Sequence, residues 1–167
     1  RIYFVQVVNG EIERLDGARL AREVVDRALT LDPRNSSALA LRARIASAVR
    51  AADAVILSDY AKGVLTPAVC RAVIAAAGSR RVLVDPKSLP WEPFRSATVL
   101  KPNLREAESF AGRLLASSDD ASRAALAMAA ELGVGHVLIT RGQAGMTLAS
   151  SARDGESAVV EIAARPR

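Results

Sequence analysis

From Asp53 onward the chain alternates short apolar runs with stretches of helical periodicity, and that rhythm constrains the fold more than any other feature. Ala54 to Leu57, Val82 to Val84, Thr98 to Leu100 and Val137 to Thr140 are too short for buried helices and too uniformly apolar for strands with one wet face. Between them lie a helix capped by Thr66 with Pro67 in its first turn, a second from about Leu104 to Gly112, and a third from about Asp120 to Leu132. Apolar strands joined by helices pair in parallel as βαβ units buried on both faces. The expected class is α/β, three-layered, a mostly parallel sheet with flanking helices. After Gly145, Met146 to Ala149 and Ala158 to Ile162 flank a polar loop and read as an antiparallel hairpin on the sheet's edge. The chain opens on a β-rich run, Ile2 to Val8, and Asn9-Gly10 predicts a tight turn into a second strand near Glu11 to Leu15. Helical stretches from about Ala18 to Leu29 and Ser37 to Arg50 follow, broken by Asp32-Pro33-Arg34-Asn35.

Composition removes whole classes of function. At 167 residues the chain has room for one domain. No apolar run approaches the roughly 18 residues of a membrane span, so no membrane partner is expected. The net charge of +5 invites nucleic acid, but the 20 arginines are dispersed and aromatics make up only 4%, so neither a clustered basic face nor stacking platforms exist. Cys70 alone cannot form an internal disulfide and reads as a small core residue, which fits a reducing cytoplasm. His136, the only histidine, opens the run HVLIT, so a His-rich metal site and a Ser/His/Asp triad both lack parts. The chain opens on Arg1 with no leader sequence, and a fragment is expected.

Chemistry collects in the turns that follow the four expected parallel strands: Ser58-Asp59-Tyr60-Ala61-Lys62-Gly63, Asp85-Pro86-Lys87, Lys101-Pro102-Asn103 and Thr140-Arg141-Gly142. In a parallel sheet such turns share the carboxyl edge, where open α/β folds bind ligands. All three lysines fall there, although arginine is the basic residue elsewhere, and lysine is a compact cation suited to phosphate. Asn103-Leu104-Arg105-Glu106 has two readings: a capping box, or a helix N-terminus with a carboxylate that organises magnesium and nucleotide phosphates. Thr140 to Gly145 also divides, between a plain connecting turn and backbone N–H groups shown to an anion. Neither a Walker A loop nor a placed dinucleotide fingerprint is present, which excludes a P-loop NTPase and a Rossmann dehydrogenase.

LSDYAKG (Leu57 to Gly63), VDPK (Val84 to Lys87), LKPNLREAE (Leu100 to Glu108) and ITRGQAGM (Ile139 to Met146), in this order and spacing, resemble the ribokinase-like sugar kinases of the PfkB family. Within it they are most similar to the heptose 7-phosphate kinases, for which SDYAKG is the most distinctive piece; VNGEIERLD (Val8 to Asp16) adds to the likeness. The resemblance implies a partial ribokinase-like kinase domain over residues 1–167, a lid β-hairpin at 1–16 and a nucleotide-binding α/β core at 53–167. It implies ATP and Mg2+ as cofactors, with Asn103, Leu104, Arg105 and Glu106 of the family's N-x-x-E segment and Thr140, Arg141, Gly142 and Gly145 on the nucleotide. Glu106 would act on the metal through water, Lys87 would stabilise the transferring phosphate, and Asp59 and Lys62 would lie on the phosphosugar side.

The family's D-T-x-G-A-G-D signature, source of the anion hole and the aspartate base, is expected just after the final strand, and Arg167 comes before it. The glycine-rich sugar-binding segment is missing as well. Phosphoryl transfer rests on a placed nucleophile and neutralised charge, so the chain by itself is expected to lack turnover, with no general base among its residues. The parent enzyme would phosphorylate the anomeric hydroxyl of the heptose phosphate for lipopolysaccharide core synthesis, in the cytoplasm, as a homodimer joined through its lid. Another sugar kinase of the family and a non-catalytic nucleotide-binding module remain as alternatives.

Overall fold

The computed structural model describes residues 2–8, 11–12, 46–59, 65–87, 90–151 and 157–164. Contacts divide the chain into two units, 1–83 and 84–167. The expected helix from Ala18 to Leu29, the Asp32–Asn35 breaker and the turn residues Tyr60 to Gly63 lie outside the described residues.

In the first unit, β1 (Ile2–Val8) has two neighbours because it outruns one of them. Ile2 to Gln6 pair in parallel with β3 (Ala54–Ser58), while Val7 and Val8 pair antiparallel with Ile12 and Glu11 of β2 (Glu11–Ile12). The antiparallel pair is thus the far end of a strand that also belongs to a parallel ladder, a membership that the local sequence does not announce; the expected Asn9-Gly10 turn lies outside the described residues. Residues 46–51 are helical, the described part of the second expected helix. In α1 (Pro67–Ala77) Thr66 is the cap, its Oγ1 accepting from the Val69 amide at 3.3 Å, and Cys70 is buried with Val73 and Ala77 as a core residue.

β4 (Arg81–Asp85) carries the chain into the second unit, where β5 (Val99–Leu100) pairs in parallel with β6 (His136–Thr140). β7 (Met146–Ser150) and β8 (Ala158–Ile162) then add antiparallel ladders, so the expected edge hairpin forms. Burial alternates along β6 and β7: Val137, Ile139, Thr147 and Ala149 are fully buried, whereas Leu138 and Leu148 are half-buried. The register places those four on one face, since Val137 opposes Ala149 and Ile139 opposes Thr147. The expectation of strands buried on both faces therefore holds for one face, and the other is partly wet.

Helix α2 (Leu104–Ala111) packs on α3 (Ser118–Leu132), and α3 packs on β6 and β7. The buried stripe of α3 is Ala121, Ala124, Ala125, Met128, Ala129 and Leu132, where the four alanines let helix and sheet approach closely and Met128 and Leu132 fill the space between them. Where the sequence shows only a proline-rich loop, Glu92–Phe94 forms a single 3-10 turn, and Trp91 meets Phe110 of α2 edge to face at 5.9 Å.

α3 begins at Ser118 rather than Asp120 because Ser117 and Asp120 form a capping box: Ser117 Oγ accepts from the Asp120 amide at 3.1 Å, and Asp120 Oδ2 accepts from the Ser117 amide at 3.2 Å. Arg113 and Arg123 donate to the other carboxylate oxygen at 2.8 and 3.0 Å. Arg113 first, then Ser117 and Arg123, hold the Asp120 carboxyl well below the usual carboxylate range. An aspartate held down in the folded state contributes stability above its unfolded pKa of about 3.9 and loses it as pH falls below that value. Asp120→Asn should therefore lower the urea midpoint at pH 7, and the gap to wild type should narrow progressively as pH falls from about 4 to 2 without closing there, because the folded carboxyl is held well below the usual range. An equal gap at all these pH values would show that the carboxylate's charge contributes nothing.

Candidate functional site

The second unit gathers polar groups where its strands end. β4 finishes at Asp85, followed by buried Pro86 and exposed Lys87. After β5 the chain presents Lys101, buried Pro102 and Asn103, and the Lys101 amide donates to the Val84 carbonyl at 2.8 Å. The parallel ladder continues past β5: the Thr140 amide donates to the Pro102 carbonyl at 3.0 Å, and Asn103 bridges Thr140 in parallel. This register brings the ends of β4, β5 and β6 together, so Asp85, Lys87, Lys101, Asn103, Glu106 and Thr140 share one edge as their strand-end positions suggested.

Asn103 opens α2 with a complete capping box. Its Oδ1 accepts from the Glu106 amide at 3.0 Å, and Glu106 Oε2 accepts from the Asn103 amide at 2.7 Å. The structural reading of this segment is thus present in full. The carboxylate nevertheless has a second oxygen, and Oε1 lies 3.8 Å from Lys87 Nζ, with the Glu106 side chain 14% exposed and that of Lys87 55%. Leu104 and Arg105 supply the other first-turn N–H groups, donors that an α-helix cannot satisfy internally. Lys101 Nζ sits 2.8 Å from Asp85 Oδ1, both part-exposed. That pair follows from strand neighbours and has no signal in the local sequence.

The turn from Arg141 to Gly145 includes the 3-10 residues Gly142–Ala144. The Arg141 amide donates to the Gly145 carbonyl at 2.8 Å, and the Ala144 and Gly145 amides donate back to Arg141 and Gly142, each at 3.1 Å. The two glycines differ. Both have positive φ, 59° at Gly142 and 84° at Gly145, but a Cβ on Gly142 would meet open space, while one on Gly145 would lie 2.0 Å from the Ile162 carbonyl oxygen. Gly145 is thus fixed by the close approach of β8. Arg141, expected on the nucleotide, turns its guanidinium to Ser118 and Glu161 and is 9% exposed. Glu161 escaped sequence reasoning: it is the single acidic residue of an apolar edge strand, and its partnership depends on antiparallel register.

Asp59 follows β3 in the first unit and is half-buried. Lys62 lies outside the described residues. Among the described residues no cluster of three or more His, Cys, Asp and Glu side chains could cage a metal ion, and no helix is long and apolar enough to cross a membrane. The edge does suit magnesium held by phosphates and water, since that ion keeps several waters and needs only one or two carboxylates.

The chain is similar to several known proteins. The chain is 50% identical over 115 residues to the bifunctional protein HldE of Caulobacter vibrioides, a match covering 66% of this chain and 23% of that protein. It is 41% identical over 105 residues to the bifunctional protein HldE of Vibrio vulnificus, covering 63% of the chain and 22% of the relative. The chain thus spans less than a third of these relatives. Among solved structures, a mutant of Escherichia coli phosphofructokinase-2 superposes with a TM-score of 0.60 at 17% identity, over 75% of this chain and 42% of that one. Arabidopsis thaliana ribokinase superposes with a TM-score of 0.55 at 24% identity, over 70% and 37% of the two chains. These likenesses establish a ribokinase-like α/β fold. Residues 2–166 match the model of the pfkB family of carbohydrate kinases, and the chain belongs to that family.

Proposed function

We propose that this chain forms the nucleotide-phosphate side of an ATP-dependent sugar kinase, that the sugar is a heptose 7-phosphate, and that transfer is to its anomeric hydroxyl. One observation carries the reading: the carboxylate that caps α2 also faces Lys87, beside the Asn103–Thr140 bridge, so a helix N-terminus, an acid and a cation converge on one edge. In this reading Asn103 to Glu106 and Thr140 to Gly145 line the nucleotide, with Arg141 acting from behind the turn. Glu106 orients water on a magnesium ion that the nucleotide brings, which neutralises phosphate charge. Lys87 moves with the transferring group as a compact cation. Asp59 and Lys62 hold the phosphosugar. The reaction belongs in the cytoplasm, and the hairpin of β1 and β2 is the surface through which two copies would pair.

The test is ADP release by the full-length gene product with magnesium ATP and heptose 7-phosphate, set against fructose 6-phosphate and ribose. A residue that neutralises charge only in the transition state lowers kcat, and one that grips a ground-state phosphate raises KM. Lys87→Ala should cut kcat at least ~30-fold, and Lys62→Ala should raise the phosphosugar KM about tenfold. Unchanged kinetics in both variants would remove the lysines from the site. Turnover on fructose 6-phosphate or ribose alone would replace the heptose reading, and nucleotide binding without turnover on any sugar would leave a binding module.

A further inference from the structure

Arg141 is the buried end of a polar chain that runs from the 141–145 turn to the edge strand. Its Nη1 donates to Ser118 Oγ at 2.9 Å, at the start of α3, and its Nη2 donates to Glu161 Oε2 in β8. Its Nε is buried without a partner. Beyond Arg141, Glu161 Oε1 accepts from Thr147 Oγ1 at 2.9 Å and Ser122 Oγ at 3.1 Å. One carboxylate thus gathers donors from the turn, from β7 and from α3, although its own side chain is 40% exposed. A guanidinium only 9% exposed needs a fixed anion, because an unpaired buried charge is strongly unfavourable. The backbone makes a second tie between the same segments, where Gly145 packs against Ile162.

We propose that Glu161 is a positioning residue for the nucleotide-phosphate turn, acting through Arg141 to hold residues 141–145 beside the N-terminus of α2. The proposal rests on the reading that this turn binds nucleotide. The start of the turn is fixed by the Thr140–Pro102 hydrogen bond. Past that point two positive-φ glycines leave the backbone many alternatives, and a turn ordered in advance spares binding the cost of ordering it. Among the described residues the hydrogen bonds of Glu161 go to Arg141, Thr147 and Ser122, so its effect on the turn passes through the arginine.

The experiment is titration calorimetry with magnesium ADP, alongside thermal melting, on wild type, Asn103→Ala, Glu161→Gln and the double variant Arg141→Met with Glu161→Gln. Glu161→Gln should weaken ADP binding at least fivefold and lower Tm, since the arginine loses its counter-charge. The double variant should regain Tm, because removing both charges removes the unpaired one. It should not regain affinity, because the side-chain tie between the turn and β8 is then gone. Affinity that recovers together with Tm would reduce the network to a structural role and overturn the proposal. So would unchanged affinity in Glu161→Gln when Asn103→Ala weakens binding. Wild type that fails to bind magnesium ADP, or Asn103→Ala with full affinity, would overturn the nucleotide reading first and this proposal with it.

Discussion

Replacing Gly145 by alanine should cost about 2 to 5 kcal/mol, whereas the same change at Gly142 should cost about 1 to 2 kcal/mol. Each substitution puts an L side chain at positive φ, which accounts for the smaller figure. Only at Gly145 does the new methyl overlap neighbours, lying 2.0 Å from the Ile162 oxygen and 2.9 Å from the Ala164 nitrogen. Both are backbone atoms and cannot rotate aside as a side chain would. Relief requires β8 to shift, and β8 is an exposed edge strand held by its ladder to β7 and by Glu161. The loss is therefore capped by what it takes to release that strand, and amide exchange should rise first at the β7–β8 ladder. Thermal melts and hydrogen exchange on the two alanine variants check this. Equal destabilisation would mean that φ strain alone governs the turn and that the approach of Ile162 is easily relaxed.

Glu106→Gln should lower magnesium-dependent turnover of the full-length gene product about a hundredfold while leaving its melting temperature close to wild type. Glutamine is an accepted partner in a capping box, so its carbonyl can still take the Asn103 amide. Even complete loss of a cap costs only about 0.5 to 2 kcal/mol. The substitution removes the charge that faces Lys87 across 3.8 Å and that would orient water on magnesium. Glu106→Ala supplies the contrast, since it should lose both the charge and the cap and add a drop in Tm. A large fall in Tm for Glu106→Gln with unchanged kinetics would confine Glu106 to capping. Because kcat and Tm report different roles of one carboxylate, the pair of variants separates them.

Several features were legible in the residues because they depend on neighbours a few positions away. Thr66-Pro67, Asn103 with Glu106, and the short apolar runs gave helix starts and strands that the structure reproduces within a residue or two. The expected antiparallel pairing at the start of the chain is present between β1 and β2, Asn9-Gly10 themselves lying outside the described residues, and the alternation of elements gave the α/β class. Placing the polar turns along one edge needed only the rule that parallel strands share a carboxyl edge. Ser117 as the true cap of α3 was missed because Ser118, Asp119 and Asp120 offer competing signals within one turn.

What the sequence determined by itself is the inventory: which segments form helices and strands, where the caps lie, and which turns carry lysine, asparagine and glutamate. Which of those groups meet was decided by the tertiary structure. Asp85 and Lys101 pair because the chain after β5 hydrogen-bonds to the end of β4, and Glu161 reaches Arg141 because antiparallel register sets it opposite Thr147. The same register gives the Arg141 guanidinium its partner in β8. A shift of one residue in either ladder would turn these side chains to the opposite face, and the local sequence holds no record of the partner strand that prevents it.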